Sequence, residues 1–116
     1  MGIKGLKPSL REKKRYIAFE VISKSKVSSL SRIQKAVTLS MISYKGAHGL
    51  AESGLMFVPE RYNPNNQRGI ARVNRKKVND AIAAMTLTHD IDGAEVIMRT
   101  LGVSGMINKA GKLIAS

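Results

Sequence analysis

Apolar and polar residues alternate along this chain with two different periods, and the switches between them mark out its elements. From Arg15 to Ser23 (RYIAFEVIS) the period is two: Ile17, Phe19 and Val21 fall on one side, Tyr16, Ala18, Glu20 and Ile22 on the other. Successive side chains of a strand point to opposite faces, so this stretch predicts a strand with the first set toward the core. The period then lengthens. Leu30, Ile33, Val37, Met41 and Tyr44 recur at helical spacing and predict a buried stripe on a helix capped by Ser28 or Ser29 and ended by Lys45-Gly46. A short second helix, Ala47 to Ser53, stops at Gly54. Leu55 to Glu60 (LMFVPE) reads as a strand whose end lies at an edge or bulge, because Pro59 cannot donate to a ladder. Tyr62 to Asn66 is a turn by composition, and Gly69 to Asn74 (GIARVN) is the return strand of a hairpin. Asn74 stands where it would cap a helix running to Thr88, with Val78, Ala81, Ile82 and Met85 on one side. Asp90-Ile91-Asp92-Gly93 is a turn, Glu95 to Leu101 (EVIMRTL) the last strand, and Gly102-Val103-Ser104-Gly105 leads into a final amphipathic segment.

The order strand, helix, strand, strand, helix, strand predicts an α+β fold: a ferredoxin-like, RNA-recognition-like β-α-β-β-α-β sandwich. Its two helices would cover one face of a four-stranded antiparallel sheet, with extra helices that include one at the C-terminus. Residues 1–14, polar, basic and carrying Gly2, Gly5 and Pro8, are expected to be an arm, and residues 15–116 a single domain. With 43% hydrophobic residues the chain can bury a core, which excludes global disorder. Periodicity alone leaves Leu55, Met56 and Phe57 open between core and protein interface.

Charge changes the picture most. Twenty Lys and Arg face eight Asp and Glu, a formal net charge of +12. The cations are also grouped. Lys4, Lys7, Arg11, Lys13, Lys14 and Arg15 crowd the start, opposed only by Glu12, and Arg68, Arg72, Arg75, Lys76 and Lys77 form a second group containing no acid. Polyanions are the usual partners of such a chain, nucleic acid foremost. The second group begins at a helix N-terminus, where the helix dipole favours anions, so three successive cations there fit a site that holds a counter-anion. An RNA-recognition sheet would stack bases on aromatics of its third strand. Here that strand reads Arg68-Gly69-Ile70-Ala71-Arg72-Val73-Asn74-Arg75, with the Arg-Gly opening and the Val but no aromatic. Bases have nothing to stack on at that strand, which leaves phosphate contacts to a folded RNA as the expected recognition.

Other chemistry is excluded or weak. The absence of cysteine rules out disulfides and thiolate zinc sites, and it suits a reducing cytoplasm, the expected location. No apolar run reaches the roughly 20 residues of a membrane span, so no membrane partner is expected. His48 and His89 lack a third ligand at useful spacing, and Asp90 to Gly93 is half a calcium loop without its later ligands, so neither metal nor cofactor is expected on the protein. No nucleophile elbow, triad layout or paired carboxylates appear, and no residue is assigned a catalytic role. Gly102-Val103-Ser104-Gly105 reads equally as a backbone nest for a phosphate or as a strand end whose Ser104 caps the last helix.

Three blocks go beyond composition: LKPSLREKKRYIAFEV (Leu6–Val21), RGIARVNRKKVNDAIAAMTL (Arg68–Leu87) and VIMRTLGVSGMINKA (Val96–Ala110). Together they resemble the archaeal ribonuclease P protein component 2 family, whose eukaryotic relatives are small subunits of RNase P and RNase MRP. The resemblance implies a non-catalytic subunit of an RNA enzyme, in which the RNA with its Mg²⁺ removes the 5′ leader of precursor tRNA. The implied partners are RNase P RNA, precursor tRNA in the holoenzyme and the barrel-shaped component 3 protein, with two copies of this chain able to meet in a heterotetramer. A ribosomal-type structural RNA-binding protein is the alternative for the same charge and fold. Mapped onto this sequence, the expected RNA contacts are Lys7, Arg11, Lys13, Lys14, Arg15, Arg68, Arg72, Arg75, Lys76, Lys77, Arg99 and Lys109. Gly102, Ser104 and Gly105 are expected where backbone comes close to RNA or to a partner.

Overall fold

The computed structural model describes residues 13–115. Strand β1 (Lys14–Ser23) is the middle strand of a five-stranded antiparallel sheet that also contains β2 (Met56–Phe57), β3 (Arg68–Asn74), β4 (Asp90–Ile91) and β5 (Ala94–Ser104). Their order across the sheet is β2-β3-β1-β5-β4. Three helices complete this α+β fold: α1 (Leu30–Ser53), α2 (Val78–Leu87) and α3 (Ile107–Ile114).

The fifth strand corrects the expectation of four. It exists because Asp92 and Gly93 both take positive φ, 52° and 85°, the backbone of a two-residue hairpin turn. That turn folds Asp90 and Ile91 back onto Glu95 and Ala94. The Leu55–Glu60 strand is shorter than its sequence suggests. Only Met56 and Phe57 pair with β3, because Pro59 opens a 3-10 turn over Pro59–Arg61 instead of continuing a ladder to which it has no N–H to give. Helix α1 spans both helices expected on either side of Lys45-Gly46. The break between them is real, for Gly46 sits at φ 80° and ψ 171° inside the element. Gly54 ends it in the left-handed conformation, with its N–H donated to the carbonyl of Ala51. Ser29 does occupy the N-cap position, but its hydroxyl bonds to that of Ser31, so the helix start has no side-chain cap.

The core lies between the sheet and the α1–α2 pair. Ile17, Phe19 and Val21 of β1 meet Ile33, Val37 and Met41 of α1 and Ala81, Ala84 and Met85 of α2, all buried. Phe19 meets the ring of Phe57 edge-on, with centroids 5.5 Å apart. Phe57 thus belongs to the core, Leu55 packs partly against it, and Met56 points out of the opposite face, half-exposed. Tyr44 departs from the predicted stripe. It is 46% exposed and, with Leu39 and Leu87, lines an open groove between α1 and the end of α2, with Lys45 Nζ 5.6 Å from its ring centre.

Helix α3 covers part of the second face of the sheet. Ala18 of β1 and Ile70 of β3 are cross-strand partners on that face, and both are fully buried together with Ala110 of α3. A β-bulge makes room for this. Ala18 pairs with Gly102 but Phe19 pairs with Thr100, so Leu101 is extra. Gly102 lies where α3 comes down on the sheet: a Cβ there would be 2.6 Å from Leu113 Cδ1.

Candidate nucleic-acid interface

The register of β1 with its two neighbours brings distant parts of the sequence to one end of the sheet. Lys14 lies opposite Asn74, and the backbone N–H of Arg75 donates to the carbonyl of Lys13 at 2.7 Å. On the other side, Tyr16 lies opposite Ser104, the last residue of β5. The next residue, Gly105, sits beside the Arg15 guanidinium, where a Cβ would come 3.3 Å from Nη1. Lys13 to Arg15 of the basic lead-in, the end of the third-strand cluster at Arg75 and Lys76, and the late Gly-Ser segment therefore meet at one edge, although 60 positions separate Lys14 from Asn74.

At that edge Lys13, Arg75 and Lys76 are exposed, with Lys14 and Arg15 half-buried. Lys14 Nζ donates to Asn74 Oδ1, and Arg15 Nη1 donates to the carbonyl of Lys14 at 3.0 Å. Both acceptors are neutral, so both cations keep their charge for an outside partner. Lys77 differs, since its Nζ lies 3.8 Å from Glu52 Oε1, and Glu52 also meets His48. Among the described residues Lys13, Lys14, Arg15, Arg75 and Lys76 make no ion pair. The concentration of like charge at one edge gives a positive field there.

Two local expectations change here. Asn74 does not cap α2. Its amide is occupied by Lys14 on one side and by the carbonyl of Glu52 on the other, and Arg75–Lys77 form a 3-10 turn before α2 begins at Val78. The three cations thus precede the α-helix instead of forming its first turn, which carries Asp80. The nest reading of Gly102 to Gly105 also fails. Positive-φ glycines among the described residues are Gly46, Gly54 and Gly93, while Gly102 and Ser104 continue β5 in extended backbone paired with β1. Ser104 Oγ does accept an N–H, that of Met106 at 3.0 Å, but Met106 and not Ser104 is the N-cap residue of α3.

The remaining predicted contacts are distributed elsewhere. Lys7 and Arg11 lie outside the described residues, as does the arm expected over 1–14 apart from Lys13 and Lys14, the latter opening β1. Lys109 is exposed on α3. Arg68 and Arg99 lie at the other end of β1, six positions or about 20 Å from the basic edge. Both point at Glu20, which faces Arg68 on one neighbour and Arg99 on the other. Arg99 Nε is 2.7 Å from Glu20 Oε1, and Arg68 Nε is 3.2 Å from Oε2. Nothing in the spacing of these three residues signals the cluster; only strand register does.

Partial burial pushes the Glu20 carboxyl up, but hydrogen bonds and charge from Arg99 and Arg68 together outweigh it and hold it below the usual carboxylate range. A carboxyl depressed in the folded state stabilises the fold above its ordinary range, and this contribution is lost as pH falls through the lowered value. Glu20→Gln keeps the shape and removes the charge. The variant is expected to be less stable than the parent at about pH 7, with the gap narrowing at acid pH as the Glu20 carboxyl becomes protonated. Urea melts at neutral and acid pH check this, and a gap independent of pH would contradict it.

No group of three or more His, Asp and Glu able to hold a metal occurs among the described residues, and no helix among them is long and apolar enough to cross a membrane.

Comparison with known proteins gives a consistent result. A family model described as the Rpp14/Pop5 family matches residues 15–115. The chain is 41% identical to ribonuclease P protein component 2 of Thermococcus gammatolerans, over 91% of its length and 86% of that protein. It is 40% identical to the protein of the same description from Archaeoglobus fulgidus, over 92% of this chain and 93% of the relative. With the Pyrococcus abyssi protein of that description it shares 35% identity over 100% of its own length and 96% of the relative. Among solved structures, a chain of yeast ribonuclease MRP determined by cryo-EM has a similar fold, with a TM-score of 0.62 at 11% identity, covering 83% of this chain and 76% of that one.

Proposed function

This chain belongs to the Rpp14/Pop5 family, and from that premise we propose that it docks its basic edge on the RNA of ribonuclease P. It is a protein subunit of that ribonucleoprotein, an enzyme of tRNA processing. The fold is read as a ferredoxin-like sandwich with one added edge strand and α3 added on the second face. The observation that carries the docking reading is the convergence of Lys13, Lys14, Arg15, Arg75 and Lys76 at one end of the sheet, with no acid paired to them among the described residues.

The chain supplies charge and position, not a reacting group. A catalytic RNA folds against its own repulsion, which Mg²⁺ screens. A cationic edge held rigidly by β1, β3 and β5 takes over part of that screening, because each neutralised phosphate releases its condensed counterion. The divalent ion stays with the RNA, and removal of the 5′ leader of precursor tRNA is assigned to RNA chemistry in the cytoplasm. The component 3 protein is assigned to the helical layer, whose outer side exposes Leu39, Ile42, Tyr44 and Leu87. Self-association in a heterotetramer would also use surface away from the basic edge.

A direct test is binding of this chain to RNase P RNA against ribosomal RNA fragments of equal length at about 150 mM salt, where nonspecific charge binding is weak. Preference for RNase P RNA by tenfold or more is the expected result, and equal affinity would contradict it.

A further inference from the structure

Among the described residues, the second face of the sheet carries three arginines, and only one of them lacks an acidic partner. Arg68 and Arg99 share Glu20. Arg72, between them and the basic edge, makes no ion pair among the described residues. Its Nη2 reaches only the thioether of Met56, at 3.3 Å, and its Nε is closed off without a hydrogen-bond partner. Strand register sets Tyr16 directly opposite Arg72 on β1, with Ser104 opposite Tyr16 on the far side. Tyr16 is half-buried on this same face. The other four aromatics all have partners: Phe19 with Phe57, Tyr44 with Lys45, and Tyr62, whose hydroxyl donates to the carbonyl of Val27. No such ring pairing or hydrogen bond holds Tyr16 among the described residues.

A phenol ring and a planar guanidinium in adjacent strands, directly opposite each other, are close enough to act as one surface. Both are flat groups of the kind on which a nucleobase stacks, and stacking of this kind tolerates any base. The surroundings suit a nucleotide. Met56, more than half exposed and in contact with Arg72, gives an apolar border on the β2 side. The Lys14–Asn74 pair lies two residues along the strands on the same face, about 7 Å away, and brings a cation and an amide within reach of the attached phosphate. Strand β3 itself carries no aromatic, but Tyr16 stands on β1 beside it.

We propose that Tyr16 and Arg72 form a stacking site for one unpaired nucleotide of the partner RNA. The proposal rests on the RNA-docking reading and adds to it a preference that charge does not give, for single-stranded over fully paired RNA at this spot.

The test uses the full chain with two RNA probes of equal length, a single strand carrying one 2-aminopurine and a hairpin whose stem is fully paired and whose ends are joined by a non-nucleotide linker in place of a loop. The parent should quench the 2-aminopurine on binding. Tyr16→Leu should abolish the quench and weaken single-strand binding by about tenfold, with hairpin binding unchanged, and Tyr16→Phe should behave as the parent. Arg72→Gln should weaken the single strand more than the hairpin. Tyr16→Leu that binds and quenches like the parent overturns the stacking site and leaves the docking reading standing. An equal loss for both probes also overturns it, since that is the signature of a damaged fold or of charge alone. Binding of neither probe by the parent overturns the docking reading together with the stacking site.

Discussion

Replacing Lys13, Arg15, Arg75 and Lys76 together by Ala should flatten the salt dependence of RNA binding by up to about 3.6 in the slope of log affinity against log salt, at about 0.9 for each phosphate that is no longer neutralised. Between about 50 and 200 mM salt this amounts to about two orders of magnitude in the affinity change. The four residues are chosen because none of them pairs with an acid among the described residues. Lys13, Arg75 and Lys76 are exposed, and Arg15 gives its guanidinium only to a neutral carbonyl. The bond that joins the two segments runs between the Arg75 N–H and the Lys13 carbonyl, both backbone atoms, so it survives the substitutions. Lys77 is left out because Glu52 already faces it, and its removal should change the slope least. Replacing the two arginines by Lys keeps the charge and should keep the slope. Parallel lines for the parent and the fourfold Ala variant would remove this edge from the interface.

The second large effect concerns the fold itself. Phe19→Ala is expected to destabilise the domain by about 3–5 kcal/mol, a substantial part of the roughly 5–15 kcal/mol that holds most domains together. Phe19 is fully buried on the central strand and meets Phe57 edge-on. Its neighbour across the β1–β3 pair is Gly69, where a Cβ would lie 3.0 Å from Phe19 Cζ, so the ring fills the space a side chain would take. Little around it can collapse into the cavity, which places the cost at the upper end of such substitutions. Urea unfolding measures it directly, and a cost under about 1 kcal/mol would mean that the core is not packed as described. The basic edge is anchored by the same strand, so RNA binding should fall in step with the folded fraction.

Elements whose signal is local are legible in the sequence. The alternation of Ile17, Phe19 and Val21 marks the central strand and its buried face, and Ile33, Val37 and Met41 mark the buried side of α1. Gly46 and Gly54 stand where the pattern predicts stops, and both adopt positive φ. The added strand β4 escapes the pattern, although Asp92-Gly93 is a hairpin signal, because two residues are too few to carry a period. The continuation of β5 through Gly102 to Ser104 escapes it because glycine argues against a strand locally, whereas here α3 seats its Leu113 over that glycine. The site divides the same way. Clustering of cations is visible along the chain, but which of them meet is set by pairing of β1 with β3 and β5. That pairing places Arg68 and Arg99 on Glu20 and leaves Arg72 beside Tyr16.

The measurement that bears most directly on the central claim is the rate of 5′ leader removal from precursor tRNA at limiting Mg²⁺, by the matching RNase P RNA with component 3, with and without this chain. The account predicts a large gain when the chain is added, much of it lost in the fourfold Ala variant, and convergence of all three rates at high Mg²⁺, where screening no longer depends on protein. No gain from the chain, with RNA and component 3 shown to be folded and active at high Mg²⁺, would contradict the account and favour a structural role on another RNA.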